Sequence, residues 1–260
     1  MAKKLSKNEL EQLPRSYQII GKILLLKLKP SLYSKRKAIG RAVLELLPYV
    51  HSVFLQKGIV DIERKPEIEL LAGCRETQTL HREHGCRFLL DVGKIMWSKG
   101  NKQEKLRMIK LVKPGETMVD MFAGVGYWSI LVAKHTKASK IYAIDISPAA
   151  IKYLEKNVWL NQVQDEIEIL KGDCRDFAGP LKNIADRVIM GYFPASKLLP
   201  AAMRMAKKGA VIHYHDTMKA EELGKLRKEL RSRGLKVKKT TIVKTYAPNI
   251  LHVVLDLQNP

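Results

Sequence analysis

Three aspartates follow three apolar runs, and their spacing is what a nucleoside site needs. Asp120 closes the run that starts at Met118, Asp145 closes the run 140–144, and Asp173 follows 167–170 through Lys171-Gly172. After the first of them the chain reads Met121-Phe122-Ala123-Gly124-Val125-Gly126-Tyr127-Trp128-Ser129 and passes into apolar residues at helical spacing. Such a turn lets backbone come close to a ligand, with helix N–H groups directed at it. Asp145 stands 19 residues after Gly126, where a carboxylate can accept hydrogen bonds from a ribose diol. Asp173, with the backbone of Cys174 beside it, suits the exocyclic amine and ring nitrogen of an adenine.

The turn holds no Gly-Lys-Ser/Thr, so it is not a triphosphate loop, and Ser129 stands where a dinucleotide fingerprint has its third glycine. The three acids and the turn therefore point to an adenosine ligand without phosphates, most simply S-adenosylmethionine. A dinucleotide is the competing ligand, and an ordinary βαβ turn with incidental acids is the plain alternative. The expected contacts are Phe122, Ala123 and Gly124 in the turn, Asp145 and Ile146 after the second run, Asp173 and Cys174 after the third, and Gly191 after the fourth.

An alternating series of elements must position these residues. Apolar runs at 118–121, 140–144, 167–170, 188–190 and 210–214 read as strands, separated by helical patterns at 128–135, 148–161, 195–205 and 220–233. That rhythm predicts a doubly wound α/β sheet. Runs at 237–243 and 251–257 have no helix between them and are expected to pair antiparallel through Pro248-Asn249. Before this, residues 1–98 read as a small basic α+β domain and 99–116 as a linker helix, with 117–260 expected to form the domain that carries the ligand site and any catalysis. In the first domain, 16–28 reads as one or two strands, 32–47 as an amphipathic helix with Ala38, Ile39, Ala42, Val43, Leu46 and Leu47 inward, 52–55 and 58–63 as a hairpin pair, 68–71 as an extended run, and 79–83 with 87–96 as two strands joined at His84-Gly85.

The chain has 260 residues, 46% of them hydrophobic, so it can bury a core. Its net charge is +21, from 47 basic and 26 acidic residues, which points to a polyanion such as nucleic acid. Residues 1–115 carry net +13 and residues 116–260 net +8, so the front is the expected polyanion surface. Cys74, Cys86 and Cys174 form no CxxC and have no histidine at metal spacing, so no metal is expected. Reduced thiols are the default, with a Cys74–Cys86 disulfide as the alternative. No apolar stretch is long enough to span a bilayer, and no signal peptide is recognisable; the reading is a soluble, cytoplasmic monomer.

The glycine turn, Asp145 and Asp173-Cys174 resemble motifs I to III of the class I methyltransferase fold, a Rossmann-like sheet. The front half adds Leu70-Leu71-Ala72-Gly73, Glu76-Thr77, His81-x-Glu83-His84-Gly85-Cys86-x-Phe88, Asp91, Trp97-Ser98-Lys99-Gly100-Asn101 and Glu104-Lys105; the end adds Tyr246-Ala247-Pro248 and His252-Val253-Val254. These are similar to two related families that modify tRNA beside the anticodon, the guanine-N1 methyltransferases and the wybutosine-pathway aminocarboxypropyltransferases. The methyltransferases carry Pro-Arg-Leu where this chain has Lys99-Gly100-Asn101, Asn-x-Pro where it has Gly191-Tyr192-Phe193-Pro194, and a proline where it has Tyr127. All three departures match the aminocarboxypropyltransferases. The resemblance implies transfer of the 3-amino-3-carboxypropyl group of S-adenosylmethionine to 4-demethylwyosine in the anticodon loop of tRNA(Phe). It also implies that Ser98 and Lys105 hold the cofactor's polar end. A methyltransferase and a non-catalytic tRNA-binding protein are the alternatives. Tyr192 and Phe193 stand where a target base would stack, and Tyr192, Pro194 and His215 are the catalytic candidates, with no residue assigned as a general base. His213, His215 and Asp216 also read as RNA contacts, with a structural role as the stronger alternative.

Overall fold

A computed structural model describes residues 5–60, 65–97 and 101–260. Its elements divide into two compact units, residues 1–99 and residues 100–260.

In the first unit, β1 (Gln18–Ile20), β2 (Ile23–Leu26), β3 (Ser52–Val60) and β4 (Lys65–Gly73) form one sheet in that order, and β5 (Gln78–Glu83) pairs with β6 (Cys86–Asp91) through His84-Gly85. β2 and β3 are parallel. A parallel neighbour requires a crossover, and helix α2 (Arg36–Leu46) supplies it. Ile39 and Ala42 are buried as the periodicity predicts, whereas Leu46, at the end of the helix, is 70% exposed. A short helix α1 (Lys7–Glu11) precedes the sheet, closed by a reciprocal Ser6–Glu9 capping box.

The hairpin expected at 52–55 and 58–63 is not formed. β3 runs through Gln56 to Val60 as one strand and pairs antiparallel with β4, with a register shift between Gln56 and Gly58. Gly58 marks an irregularity in the ladder and not a turn; residues 61–64, including the end of the expected second strand, lie outside the described residues. No disulfide joins Cys74, which is exposed, to Cys86, which is buried.

The second unit begins with α3 (Lys102–Leu111) and then alternates: β7 (Thr117–Asp120), α4 (Ser129–His135), β8 (Lys140–Asp145), α5 (Pro148–Asn161), β9 (Ile167–Lys171), β10 (Ala185–Met190), α6 (Leu199–Met205), β11 (Ala206–Met218), α7 (Leu223–Ser232), β12 (Lys236–Ala247) and β13 (Ile250–Gln258). The seven strands lie in the order β12-β13-β11-β10-β7-β8-β9. The five from β7 to β11 are parallel, while β13 is antiparallel to both β11 and β12. The expected sheet and its antiparallel end are both present. Strand order reverses between β7 and β10, and in such sheets the crevice at the carboxyl ends beside the reversal takes the ligand. α3, read from sequence as a linker, is held to this unit: Arg107 donates to Asp256 of β13 at 2.7 and 2.9 Å and to Glu104 of its own helix.

Candidate active site

The crevice is built from the carboxyl ends of β7, β8, β9 and β10. The turn after β7 is closed by its own backbone. The N–H of Ala123 donates to Ile144 O at 2.8 Å, and the Ala123 carbonyl accepts from Gly126 N and Tyr127 N. Ala123, a predicted cofactor contact, is fully buried and spends its backbone groups on the turn. Gly124 has φ +59°, and a Cβ there would stand 2.2 Å from Cε2 of Tyr127. No other residue fits: the dihedral disfavours a side chain and the Tyr127 ring fills the space.

Asp145 is joined to this turn. One carboxylate oxygen accepts from Gly124 N at 2.7 Å and the other from Ser147 N at 2.9 Å. These bonds fix the carboxylate at the rim, and the next residue, Ile146, is 50% exposed. A fixed acid beside an exposed apolar side chain is a pairing suited to a ribose and the face of an adenine. Phe122 is partly buried and stacks on Tyr192 with ring centroids 5.1 Å apart.

Asp173 is engaged by Arg175, which donates from Nε at 2.9 Å, from a terminal nitrogen at 2.5 Å and from its backbone N–H at 2.9 Å. The side-chain bond to Arg175 holds the Asp173 carboxyl below its ordinary range. Sequence reasoning had not identified Arg175, though its position two residues after the acid was the available signal. The neighbouring Cys174 thiol is pushed up to about 12 by burial and by Asp173, so it stays protonated and is no nucleophile.

Asp120, under the turn, is fully buried. Ser129 Oγ donates to it at 2.7 Å and Phe122 N at 3.3 Å. Burial raises its carboxyl to about 7, and the charge of Asp145 adds to the rise. It supports the turn from below.

Lys105 is also buried, on α3, and its ammonium lies 5.6 Å from the centroid of the Tyr127 ring. Ser98 lies outside the described residues.

The loop after β10 carries Gly191, Tyr192 and Phe193, all partly buried, and Pro194, which is exposed. A Cβ at Gly191 would stand 2.9 Å from Trp128 Nε1, so the loop packs directly on that indole. His215 is fully buried on β11. Its ring lies edge-on to Trp128 at 5.4 Å, and its Nδ1 is 3.1 Å from Nε2 of His252, which in turn lies edge-on to Phe193 at 4.8 Å. His215 thus reaches the loop through Trp128 and His252, not as an exposed group.

His213, two residues before His215 on β11, is engaged by Arg187 and Asp256. Its Nε2 is 2.7 Å from Arg187, whose guanidinium can only donate, so Nε2 accepts and the proton sits on Nδ1, 2.7 Å from Asp256. With both nitrogens satisfied and burial holding it neutral, His213 is a structural residue. The chain Glu104–Arg107–Asp256–His213–Arg187–Glu116 was not foreseen from sequence. Its members lie far apart along the chain, and only the sheet brings them together. Among the described residues no group of three or more His, Cys, Asp or Glu could hold a metal ion, and no helix is long and apolar enough to cross a membrane.

Comparison with known proteins matches residues 79–242 to the TRM5/TYW2 methyltransferase domain and residues 1–77 to the TYW2 N-terminal domain. The chain is 40% identical to the tRNA(Phe) (4-demethylwyosine(37)-C(7)) aminocarboxypropyltransferase of Pyrococcus horikoshii, over 99% of this chain and 94% of that protein. It is 36% identical to tRNA (guanine(37)-N(1))-methyltransferase Trm5b of Pyrococcus abyssi, over 95% of this chain and 75% of that one. The crystal structure of P. horikoshii TYW2 in complex with MeSAdo superposes with a TM-score of 0.84 at 37% identity, covering 99% of this chain and 95% of the other. The second unit has the class I methyltransferase fold, and the chain belongs to the TRM5/TYW2 family.

Proposed function

We propose that this protein transfers the 3-amino-3-carboxypropyl group of S-adenosylmethionine to 4-demethylwyosine beside the anticodon of tRNA(Phe). The observation that carries the choice of group is the loop after β10. It reads Gly191-Tyr192-Phe193-Pro194, with Tyr192 stacked on Phe122, and it offers an aromatic face where the methyltransferase pattern has an asparagine amide. Methylating guanine N1 needs its proton removed and its edge held. Alkylating an electron-rich tricyclic base demands mainly positioning, which an aromatic loop supplies. Stacking contributes on the order of 1–3 kcal/mol per base. The 40% identity to an aminocarboxypropyltransferase over nearly the whole chain supports the same reading.

The residues present fit the cofactor. Asp145, fixed by two backbone amides, takes the ribose hydroxyls; Ile146 and Phe122 border the adenine; Asp173 takes its amine as one outlet of a carboxylate it shares with Arg175. Gly124 leaves room for the Tyr127 ring and Gly191 for the Trp128 indole, which together shape the turn and the loop, and Lys105 holds the carboxylate of the methionine chain, a role the resemblance also gives Ser98. Bound there, S-adenosylmethionine supplies an electrophilic γ-carbon. The transfer forms a bond from the base carbon to that γ-carbon, breaks the γ-carbon–sulfur bond, and leaves methylthioadenosine and a proton. The protein acts as a monomer in the cytoplasm, and its front unit, which carries net +9 of the chain's +21, contributes to holding the tRNA.

The test is incubation with tRNA(Phe) carrying 4-demethylwyosine and cofactor labelled on either the methyl or the carboxyl carbon. Carboxyl label in the RNA with release of methylthioadenosine is expected. Methyl label with S-adenosylhomocysteine would assign a methyltransferase, and RNA binding without either label a binding protein.

A further inference from the structure

The positive charge of the second unit is concentrated. Residues 100–260 carry net +12, and residues 219–244 alone hold ten Lys and Arg against three acids, net +7. In the fold this stretch is α7 and β12, the edge strand of the seven-stranded sheet.

The register of β12 on β13 gives that charge a direction. Lys244 lies opposite His252, the residue that meets Phe193 of the loop, whereas Lys236 lies opposite Gln258 at the other end. Eight residue steps on β12, with two register shifts, face six on β13, so the two lysines are about 20 Å apart along the sheet. At the far end Lys238 joins Lys113, Lys207 and Lys208 around a cleft of about 470 Å³. The acids that line the cleft are already matched: Glu116 with Arg187, Asp186 with Lys207, and Asp256 with Arg107. Among the described residues no ion pair engages Lys113, Lys208 or Lys238. Lys244 is half-buried, and burial alone lowers its ammonium, with no carboxylate acting on it. An anion arriving there would gain an unopposed charge in partly desolvated surroundings.

We propose that β12 and the cleft form a track for the phosphate backbone of the RNA substrate, running from Lys244 beside the Tyr192–Phe193 loop to Lys208 and Lys238 at the other end of the strand. This rests on the reading of the protein as an RNA-modifying enzyme. Lysines on a bare edge strand also discourage strand pairing between molecules. That role does not call for Lys113 or Lys208, which lie off the edge strand.

The experiment measures tRNA(Phe) affinity against salt for Lys208→Glu/Lys238→Glu, for Lys208→Gln/Lys238→Gln and for Lys244→Gln, with Lys152→Glu/Lys156→Glu on α5 as a charge-matched control. Each phosphate left without its lysine lowers the slope of log affinity on log salt by roughly 0.7–0.9. The Glu pair is expected to weaken binding about tenfold and lower the slope by about 1–2. The Gln pair and Lys244→Gln lower the slope without adding repulsion, and the α5 control stays within about twofold of the parent. Equal weakening by the control, or unchanged affinity and slope in the track variants, overturns the track. If track variants weaken RNA binding while no carboxyl label enters RNA, the track stands and the proposed reaction falls.

Discussion

The ammonium of Lys105 lies 5.6 Å from the centroid of the Tyr127 ring, and the same ring covers Gly124, whose missing Cβ leaves it room. Tyr127 stands where the methyltransferase pattern has proline. It connects the glycine turn to α3, so one substitution reshapes the turn's roof and places a cation beside it. Gly124→Ala meets two obstacles here, the positive φ and the tyrosine ring. We expect it to destabilise the protein by about 2–4 kcal/mol, part steric and part conformational. In Gly124→Ala/Tyr127→Ala the steric part is removed and the φ part, about 1 kcal/mol, remains. Denaturant midpoints for the single and double variants test this; a double variant no more stable than Gly124→Ala would show that the ring is not the obstacle.

Asp145 links the turn to the ligand edge, and its two backbone partners decide which substitution is informative. Asp145→Asn keeps an acceptor oxygen for Gly124 N–H and loses the charge, whereas Asp145→Ala loses both. Cofactor affinity by calorimetry is expected to fall about 10- to 100-fold in the alanine variant, roughly 1.4–2.8 kcal/mol, and less in the asparagine variant, with the sheet still folded. Unchanged affinity in Asp145→Ala would remove the residue from the site.

Asp120 gives the fold a pH dependence of defined sign. Its carboxyl titrates near 7 in the fold, well above its ordinary value, because burial disfavours the charge. Between these two values the folded chain holds a proton that the unfolded chain has lost, so this group's contribution is fully present below about pH 4 and lost as pH rises through 7. Asp120→Asn keeps the shape and cannot ionise. Relative to the parent it should gain about 1 kcal/mol between pH 6 and pH 8. Unfolding curves at those two pH values, with the difference staying flat, would place the titration elsewhere.

How much of this was readable in advance depends on how local each feature is. The strand–helix rhythm, the antiparallel end of the sheet and the pairing across His84-Gly85 follow from apolar periodicity and turn residues, which are local. The hairpin at 52–63 failed because Gly58 looks the same in a turn and in a bulge; only pairing with β4 decides between them. Leu46 fits the helical stripe yet is 70% exposed, because periodicity gives a helix face but not where the core stops. Asp120, Asp145 and Asp173 were legible as a set because strand ends share one edge. Their partners Ser129 and Ser147 lie close in sequence, whereas the contacts of His213 and Asp256 need the whole sheet.

That long-range network makes Asp256 a severe position. It accepts from Arg107 at 2.7 and 2.9 Å and from His213 at 2.7 Å, and these partners hold its carboxyl well below the usual range despite burial. Asp256→Ala leaves the Arg107 and Arg187 guanidinium groups near a histidine that has lost its orienting acceptor. Removing one member of a buried ionic set costs about 3–5 kcal/mol. Asp256→Asn, which still accepts one bond, is expected to cost less. A loss under about 1 kcal/mol in the alanine variant would mean water replaces the carboxylate there.

His252 predicts the opposite pH slope to Asp120. Burial, with the charge of Lys244 adding to it, lowers its imidazole to about 4, and its partner His215 lies well below the ordinary histidine value for the same first reason, burial. The folded chain therefore holds both rings neutral where the unfolded chain protonates them. The contribution is fully present above about pH 6.5 and is lost as pH falls toward 4. Each tenfold change in a protonation equilibrium is worth about 1.4 kcal/mol, so His252 alone should cost the parent on the order of 1–3 kcal/mol over that interval, partly masked by the rise that Asp120 contributes. His252→Gln cannot take the proton, and the edge-on packing against Phe193 is absent from it at every pH. It should start less stable than the parent at pH 7 and lose less on going to pH 5. The variant separates the two titrations because Asp120 is intact in both proteins. If the parent and His252→Gln lose stability in parallel between pH 7 and pH 5, the neutral pair is not what makes the fold sensitive to acid.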